Sequence, residues 1–473
     1  MTVKKNEFLR FSYSLDDMKT VKEFIQEGAD EDFHAEFYEQ LEKTNNDLGF
    51  MRALEKGEKN SGELSGIPFV VKDAICTKDT VTSAGSKIIE NYEPVFDATV
   101  VERLRAAGAT FYGKTNQDEF GFGTFSTNCA FETPKNPHDP ERVVGGSSGG
   151  AGAIVAAMDQ PVISVGESTG GSITNPASYN GVVGITPTYG RVSRYGLVDY
   201  ANSLDKIGIL AKTVYGAAKG LEVISGHDQN DQTTVEGAVP AYSENLEEKE
   251  ELKIGVPKQY VELEGLEEGV RKNFEKSLEK LKEKGATVEE VDMPLLHKDV
   301  AVPAYYVIAM AEASTNLAKF SGIRYGIEFE PEDYDNFSEY ASDVRTEGFG
   351  EETKRRTLLG TYTRQAGYRD QYYLKAAKVR QKIINQFKEA FEEYDVLVSP
   401  SMPNIAPKIE DAEDMPPEEV YAMDTLTVGP NLAGMPMISV PNGNSKGMPT
   451  GLHIVGDHFE EQTILDVAKT FQA

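Results

Sequence analysis

Three short stretches carry residue types that could do nucleophilic chemistry. The first is Ile67-Pro-Phe-Val-Val-Lys72-Asp73, a lysine closing an apolar run. An ordinary lysine titrates near ~10.4 and is charged at neutral pH, so it is no base in water. Burial penalises the charged form and can lower that value by several units. Lys72 therefore reads as a candidate base, or as a strand-end lysine with its head in water. Asp73 need not meet it, because neighbours on a strand point to opposite faces. The second stretch is Gly145-Gly-Ser147-Ser148-Gly-Gly150, followed by small residues that suit a helix. Glycines admit close approach, and a helix start offers free N–H groups, although a flexible loop has the same composition. A phosphate-binding P-loop is excluded, because no Gly-Lys-Ser/Thr closes the motif. The third is Glu167-Ser-Thr169-Gly170-Gly171-Ser172-Ile-Thr174-Asn-Pro176. Two glycines before a serine leave backbone N–H groups near its hydroxyl, as an oxyanion hole needs. A simple turn is the other reading.

Together the three stretches meet one need. A serine hydroxyl attacks an amide poorly unless something removes its proton. The six histidines (His34, His138, His227, His297, His453, His458) include no His-x-x-x-His or His-Glu-x-x-His pair. No metal site is expected, and histidine is a poor candidate for the base. A lysine acting through a second serine is the alternative.

These stretches resemble the amidase-signature enzymes, whose pattern runs from a lysine after an apolar strand to Gly-Gly-Ser-Ser-Gly-Gly and then Thr-Gly-Gly-Ser-Ile. Ser148 follows Lys72 by 76 residues and Ser172 follows Ser148 by 24, which fits that pattern. The similarity extends from about Gly66 to Leu210, through Pro187-Thr-Tyr-Gly-Arg-Val-Ser-Arg-Tyr-Gly-Leu197. It implies Ser172 as nucleophile, Ser148 as bridging serine on a cis peptide bond, and Lys72 as base. It also implies an oxyanion hole around Thr169, Gly170 and Gly171. The implied fold is α/β, with a central mixed β-sheet covered by helices on both faces. Two positions depart from the pattern: Ser168 and Thr174 stand where the family often has Asp and Arg.

Later segments narrow the resemblance. Ala311 to Gly326, Arg345 to Arg356 and Tyr421 to Pro436 look like the glutaminase subunits of glutamyl-tRNA(Gln) amidotransferases. Free glutamine carries an ammonium and a carboxylate, so its pocket wants a fixed carboxylate and a guanidinium able to bind bidentately. The resemblance gives these roles to Asp424 and Arg356, with Tyr306 contributing and Tyr305 as a possible substitute. Without it, Arg356 reads as a surface helix residue paired with Glu352 at i,i+4. The implied function is glutamine hydrolysis, releasing ammonia to a partner subunit that converts Glu-tRNA(Gln) to Gln-tRNA(Gln). The B and C subunits of such complexes are the implied partners. ATP and Mg2+ belong to the partner, with no cofactor in this chain. A stand-alone amidase for a small amide, or a silent scaffold subunit, are the other readings.

The elements that must position these residues follow from pattern. Residues 15–60 read as helical and acidic, with Phe24, Ile25, Phe33, Phe37 and Leu41 as a buried stripe. This forms an N-terminal segment (1–60) ahead of a catalytic domain (61–473). Strands are expected at 66–75, 109–113, 161–166, 252–256, 286–291, 396–399, 437–440 and 451–455. Helices are expected at 98–107, 151–158, 265–284 and 370–393, with 167–176 as a turn. Residues 227–251 read as an acidic surface connection. Alternating strands and helices indicate an α/β protein.

Composition bounds the rest. The 473 residues are 39% hydrophobic and 26% charged, enough apolar residues for a sizeable core. Lys and Arg number 48 against 77 Asp and Glu, a net charge of -29. That argues against a broad grip on nucleic acid or an anionic membrane. It also suits a cytoplasm of high salt, where screening shortens self-repulsion. Two cysteines, Cys76 and Cys129, offer no disulfide framework, so a reducing cytoplasm is expected. The N-terminal decapeptide has no apolar core after its basic residues, and no run of about 18 apolar residues spans a membrane.

Overall fold

The computed structural model describes residues 20–28, 32–58 and 60–473. The reading of the N-terminal decapeptide, and the helix expected over 15–19, lie outside the described residues. Eleven strands form one sheet: β1 (Met51–Leu54), β2 (Pro68–Lys72), β3 (Thr110–Thr115), β4 (Ile163–Ser168), β5 (Val183–Thr186), β6 (Lys206–Ala211), β7 (Lys253–Pro257), β8 (Thr287–Val291), β9 (Val396–Pro400), β10 (Met437–Ser445) and β11 (Met448–Val455). Their spatial order is β1-β3-β2-β4-β6-β5-β10-β11-β9-β7-β8. The sheet is mixed: β2 runs parallel to β3 and β4, and β7 parallel to β8 and β9, whereas β4–β6, β5–β6, β5–β10, β10–β11, β9–β11 and β1–β3 are antiparallel.

Successive strand residues point to opposite faces, and each face has its own core. On β9, Val396 and Val398 enter one hydrophobic cluster and Leu397 the other. On β10, Ile438 and Val440 divide from Met437 in the same way. The first face is covered by helices such as Phe33–Leu48, Val214–Ile224 and Glu461–Gln472. The second is covered by Lys298–Asn316, Tyr373–Phe391 and Val428–Ala433. Helices thus pack on both faces, as the resemblance implies.

Most expected elements fall within a few residues of their observed ends. The N-terminal stripe is buried at Phe24, Phe33, Phe37 and Leu41, with Ile25 half-buried. One correction concerns Met51–Leu54, expected as helix and observed as β1, paired antiparallel with β3. A boundary near residue 60 therefore cuts off a strand that belongs to the sheet. Another concerns residues 167–176: Glu167 and Ser168 continue β4, and a helix already begins at Thr174. Residues 227–251 are irregular as expected, yet not wholly superficial. Tyr242 is fully buried, its hydroxyl donating to Glu461. No helix among the described residues is long and apolar enough to cross a membrane.

One buried group ties the fold to pH. His453 on β11 is fully enclosed, and neither ring nitrogen has a hydrogen-bond partner among the described residues. Burial, aided by the Lys206 charge, lowers its pKa from 6.5 to about 3. Between those values the unfolded chain takes up a proton that the folded chain refuses, so stability falls as pH drops through that window. His453→Leu removes the titration without orphaning a hydrogen-bond partner. The wild type is expected to lose about 2 kcal/mol more than His453→Leu between about pH 7.5 and pH 5, read from urea unfolding. Equal losses would refute this account of His453.

Candidate functional site

The three motif stretches meet at the carboxyl ends of the parallel strands β2 and β4, where open α/β sheets characteristically bind ligands. Lys72 ends β2, and its side chain is fully buried. Its Nζ donates to Ser147 Oγ at 2.6 Å, to the Glu167 carbonyl at 3.1 Å and to Glu167 Oε2 at 2.8 Å. Asp73 turns away, accepting from the backbone N–H groups of Ser83 and Gly85.

The contact expected of Ser148 is made by Ser147. The Ser148 hydroxyl instead donates to the Glu167 carbonyl at 2.9 Å, while its N–H donates to the Ser172 carbonyl at 3.1 Å. Ser148 immediately precedes the helix Gly149–Ala157 and braces the Ser172 loop from there. The cis peptide bond lies between Gly146 and Ser147, again one residue earlier than expected. The loop is held on several sides. Ser126 Oγ donates to the Gly145 carbonyl at 2.8 Å, and the Asp118 N–H to the Ser147 carbonyl at 3.2 Å. A side chain at Gly146 would collide with the Asp118 carboxylate and the Phe125 N–H, so only glycine fits there. Burial raises Asp118 to about 6, against hydrogen bonds from the Asn128 and Ser126 N–H groups.

Ser172 follows the turn Thr169-Gly170-Gly171 and is 7% exposed, so it is enclosed but open on one side. Its hydroxyl makes no hydrogen bond among the described residues, and the N–H groups of Thr169, Gly170, Gly171 and Ser172 likewise have no acceptor there. Such uncommitted donors are what an oxyanion would require. The turn is fixed by its other groups. Ser168 Oγ donates to the Gly170 carbonyl at 2.9 Å, Thr174 Oγ1 to the Gly171 carbonyl at 3.4 Å, and Asn431 Nδ2 to the Thr169 carbonyl. Ser168 and Thr174, the two departures from the family pattern, thus brace this turn through its own carbonyls.

The second face supplies the pocket. Arg356 lies on the helix Glu351–Arg364 and Tyr306 on Lys298–Asn316. These helices approach closely at Gly360, where a side chain would collide with the Met310 carbonyl. Glu119 fixes the start of the Arg356 helix, accepting from the Gly350 N–H and the Thr353 hydroxyl, a favourable place for a carboxylate. Arg356 is 2% exposed, with its guanidinium 5.2 Å from the Tyr306 ring centre and 5.3 Å from that of Tyr421. Its Nε donates to Glu352 at 2.7 Å and one terminal nitrogen to the Tyr200 hydroxyl at 2.7 Å. The i,i+4 pair with Glu352 therefore exists, but inside the protein and not on its surface. The other terminal nitrogen has no partner among the described residues.

Asp424 accepts from the Tyr306 hydroxyl at 2.8 Å, from Asn175 Nδ2 at 3.0 Å and from Thr124 at 3.2 Å. Burial raises its pKa, opposed by the Tyr306 hydrogen bond and the Arg356 charge. Tyr305, the possible substitute for Tyr306, instead lies against Gly170. Asn175 stands three residues after Ser172, so the Asp424 end of the pocket is tied to the serine loop. A cavity of about 350 Å³ opens beside Arg356, lined also by Thr124, Glu352 and Tyr421, while Asp424 and Ser172 lie outside its lining. That suits a small polar ligand. Among the described residues, no three His, Cys, Asp or Glu groups are arranged to hold a metal ion.

Three features escaped the sequence reading. Ser147 lay beside the residue chosen. Glu167 stood in the third motif but carried no assigned role. Tyr200, which faces Arg356, had no local signal at all.

The family model described as Amidase matches residues 21–465. The A subunit of the glutamyl-tRNA(Gln) amidotransferase of Archaeoglobus fulgidus is 48% identical over 422 residues, covering 89% of this chain and 89% of that protein. Its counterpart in Lacticaseibacillus paracasei is 46% identical over 412 residues, covering 87% of this chain and 84% of that protein. The crystal structure of the corresponding A subunit from Thermotoga maritima superimposes with a TM-score of 0.79 at 39% identity, covering 96% of this chain and 94% of that one.

The serine geometry predicts unequal mutants. Ser147→Ala is expected to slow labelling of Ser172 by a serine-directed sulfonyl fluoride by about 10²-fold or more, the scale of a lost proton-transfer partner. Ser148→Ala, which loses only a bond to a carbonyl, is expected to slow it less than about tenfold. Mass spectrometry of labelled protein over time measures both, and the opposite order would restore Ser148 to the relay.

Proposed function

The chain belongs to the amidase family, and from that premise we propose that it is the glutamine-hydrolysing subunit of a tRNA-dependent amidotransferase. The observation that carries the proposal is the pairing of buried Arg356 and Asp424 about Tyr306, beside the Ser172 loop. Two fixed opposite charges suit the carboxylate and ammonium of free glutamine, and a neutral aryl or alkyl amide has no use for them. The uncommitted terminal nitrogen of Arg356 is the donor left for the ligand carboxylate. Asp424, held by three hydrogen bonds, is the acceptor for the ammonium.

The chemistry then builds on the Lys72–Ser147 contact, with Ser172 as the nucleophile the resemblance implies. Lys72, as a neutral amine, draws a proton from Ser147, and Ser147 draws one from Ser172. Ser172 Oγ attacks the side-chain amide carbon. The free N–H groups of the Thr169-Gly170-Gly171 turn receive the oxyanion, a contribution typically worth about 10²–10³ in rate per donor. The relay returns a proton to the leaving nitrogen, ammonia departs, and water releases glutamate from the acyl-enzyme. Ammonia passes to the partner B subunit, which converts Glu-tRNA(Gln) to Gln-tRNA(Gln), while the smaller C subunit supports the assembly. ATP and Mg2+ act in the partner, and no cofactor acts here. A net charge of -29 suits a subunit that leaves the tRNA to its partner. A cytoplasmic location follows from that role.

The test is ammonia release from glutamine by the chain co-purified with its partner subunits. Ser172→Ala is expected to lower kcat by about 10³-fold or more. Arg356→Lys and Asp424→Asn are expected to raise KM for glutamine about tenfold or more, because each breaks a charged contact to the ligand. Unchanged glutamine hydrolysis in Ser172→Ala would overturn the proposal. Turnover of neutral amides at rates untouched by Arg356→Lys would favour a stand-alone amidase.

A further inference from the structure

Lys72 has three acceptors within hydrogen-bond distance: Ser147 Oγ at 2.6 Å, the Glu167 carbonyl at 3.1 Å and Glu167 Oε2 at 2.8 Å. An ammonium has three N–H donors and no lone pair. So placed, it donates to Ser147 and cannot accept from it. To act as a base, Lys72 must first shed one proton. A backbone carbonyl does not take a proton, and the Ser147 hydroxyl is the group that must lose one. Only the Glu167 carboxylate is left as a destination inside the site. The two side chains are 0% and 3% exposed, so solvent offers no ready alternative.

A second proton count points the same way. Thr169 Oγ1 lies 2.8 Å from Glu167 Oε1 and 2.9 Å from Asp205 Oδ1. A hydroxyl has one hydrogen and can donate to only one of them. The other contact is a hydrogen bond only if that carboxyl carries a proton and donates to Thr169. Glu167 is ion-paired with Lys72 at 2.8 Å, whereas Asp205 is fully buried with no cation in ion-pair contact among the described residues, so Asp205 is the member that carries the proton; burial and the Glu167 charge both push its pKa up. Asp205 is also held by the N–H groups of Tyr200 and Ala201. With a neutral Asp205 behind it, Thr169 turns its hydrogen towards Glu167 and holds that carboxylate against Lys72.

We propose that Glu167 is a positioning residue for Lys72 and the internal store for its proton, in the line Asp205–Thr169–Glu167–Lys72–Ser147. The step balances: the Lys72 N–H bond breaks and a Glu167 O–H bond forms, converting ammonium and carboxylate into amine and carboxylic acid. The amine then takes the Ser147 proton and later returns it, while Glu167 keeps the first proton throughout. Glu167 directly precedes Ser168, one of the two departures. An acidic group is thus present at the nucleophile loop although the family's usual one at 168 is not.

This inference rests on the proposed glutaminase reading and deepens it. The groups facing the Lys72–Glu167 pair are Asp205 from the turn before β6, Asp118 from the loop after β3, and Tyr200 beside Gly121. All three remain in the variants that test it. In the wild type, the working state holds one proton shared between Lys72 and Glu167. Without the carboxylate, that proton must be lost to solvent, so activity should require a higher pH.

The experiment measures kcat/KM for glutamine against pH in the complete complex. In Glu167→Gln the acidic limb is expected to move up by about one pH unit or more, with activity recovering on the alkaline side and KM little changed. Glu167→Ser should give the same shift and serves if the glutamine variant fails to assemble. Glu167→Asp keeps a carboxylate and should keep the wild-type limb even if kcat falls. An acidic limb that stays in place in Glu167→Gln or Glu167→Ser, with activity unchanged or lowered equally at every pH, overturns the inference. Ser172→Ala is run alongside. If it abolishes glutamine hydrolysis while the limb stays fixed, only the role of Glu167 fails. If it changes nothing, the glutaminase reading fails as well.

Discussion

A single buried amine organises this molecule. Lys72 reaches its place because β2 lies beside β4 and both end at the same edge, so the lysine closing one strand meets the glutamate near the end of the next. An ammonium taken out of water needs every N–H matched, and here each has an acceptor. That requirement fixes the Ser147 loop, the Glu167 backbone and the Glu167 side chain relative to one another. The serine turn inherits its position from the same set, because Glu167 leads directly into Thr169-Gly170-Gly171-Ser172. Truncating a partner of such a charge costs far more than the same change at a surface pair.

The elements that were legible in the sequence were those with strong period or punctuation. The run before Lys72, the helix stopped by Gly285, and the long helix leading to β9 all appear near their expected ends. Met51–Leu54 was hidden because a four-residue strand at a sheet edge is too short to show its own alternation beside long helical segments. Gly145–Gly150 and Thr169–Ser172 were recognisable as site loops because glycine next to serine is an unusual density of backbone freedom and hydroxyls.

What stayed hidden was phase and partnership. Choosing between Ser147 and Ser148 depends on how the chain turns into the following helix, a matter of one residue that composition does not encode. Arg356 posed a different difficulty. A helical Glu–Arg spacing of four usually marks an exposed pair, and here the same spacing occurs inside the protein, beneath Tyr421 and beside the cavity. Glu352 steadies the guanidinium through that spacing, and one terminal nitrogen is left without a hydrogen-bond partner among the described residues. Tyr200 and Asp205 come from a loop whose sequence carries no sign that it closes on distant groups.

The two-faced architecture has a consequence for how such a molecule can change. The serine loop and its lysine belong to strands encoded before residue 173, rooted in the sheet. The groups proposed to meet the ligand's charges sit on helices encoded after residue 297, on the side of the second core. Reactivity and recognition therefore occupy largely separate stretches of the chain, joined by contacts such as the Asn175–Asp424, Asn431–Thr169 and Arg356–Tyr200 hydrogen bonds. Lineages sharing this scaffold can remodel the helical half to admit a different amide while inheriting the bond-breaking half intact.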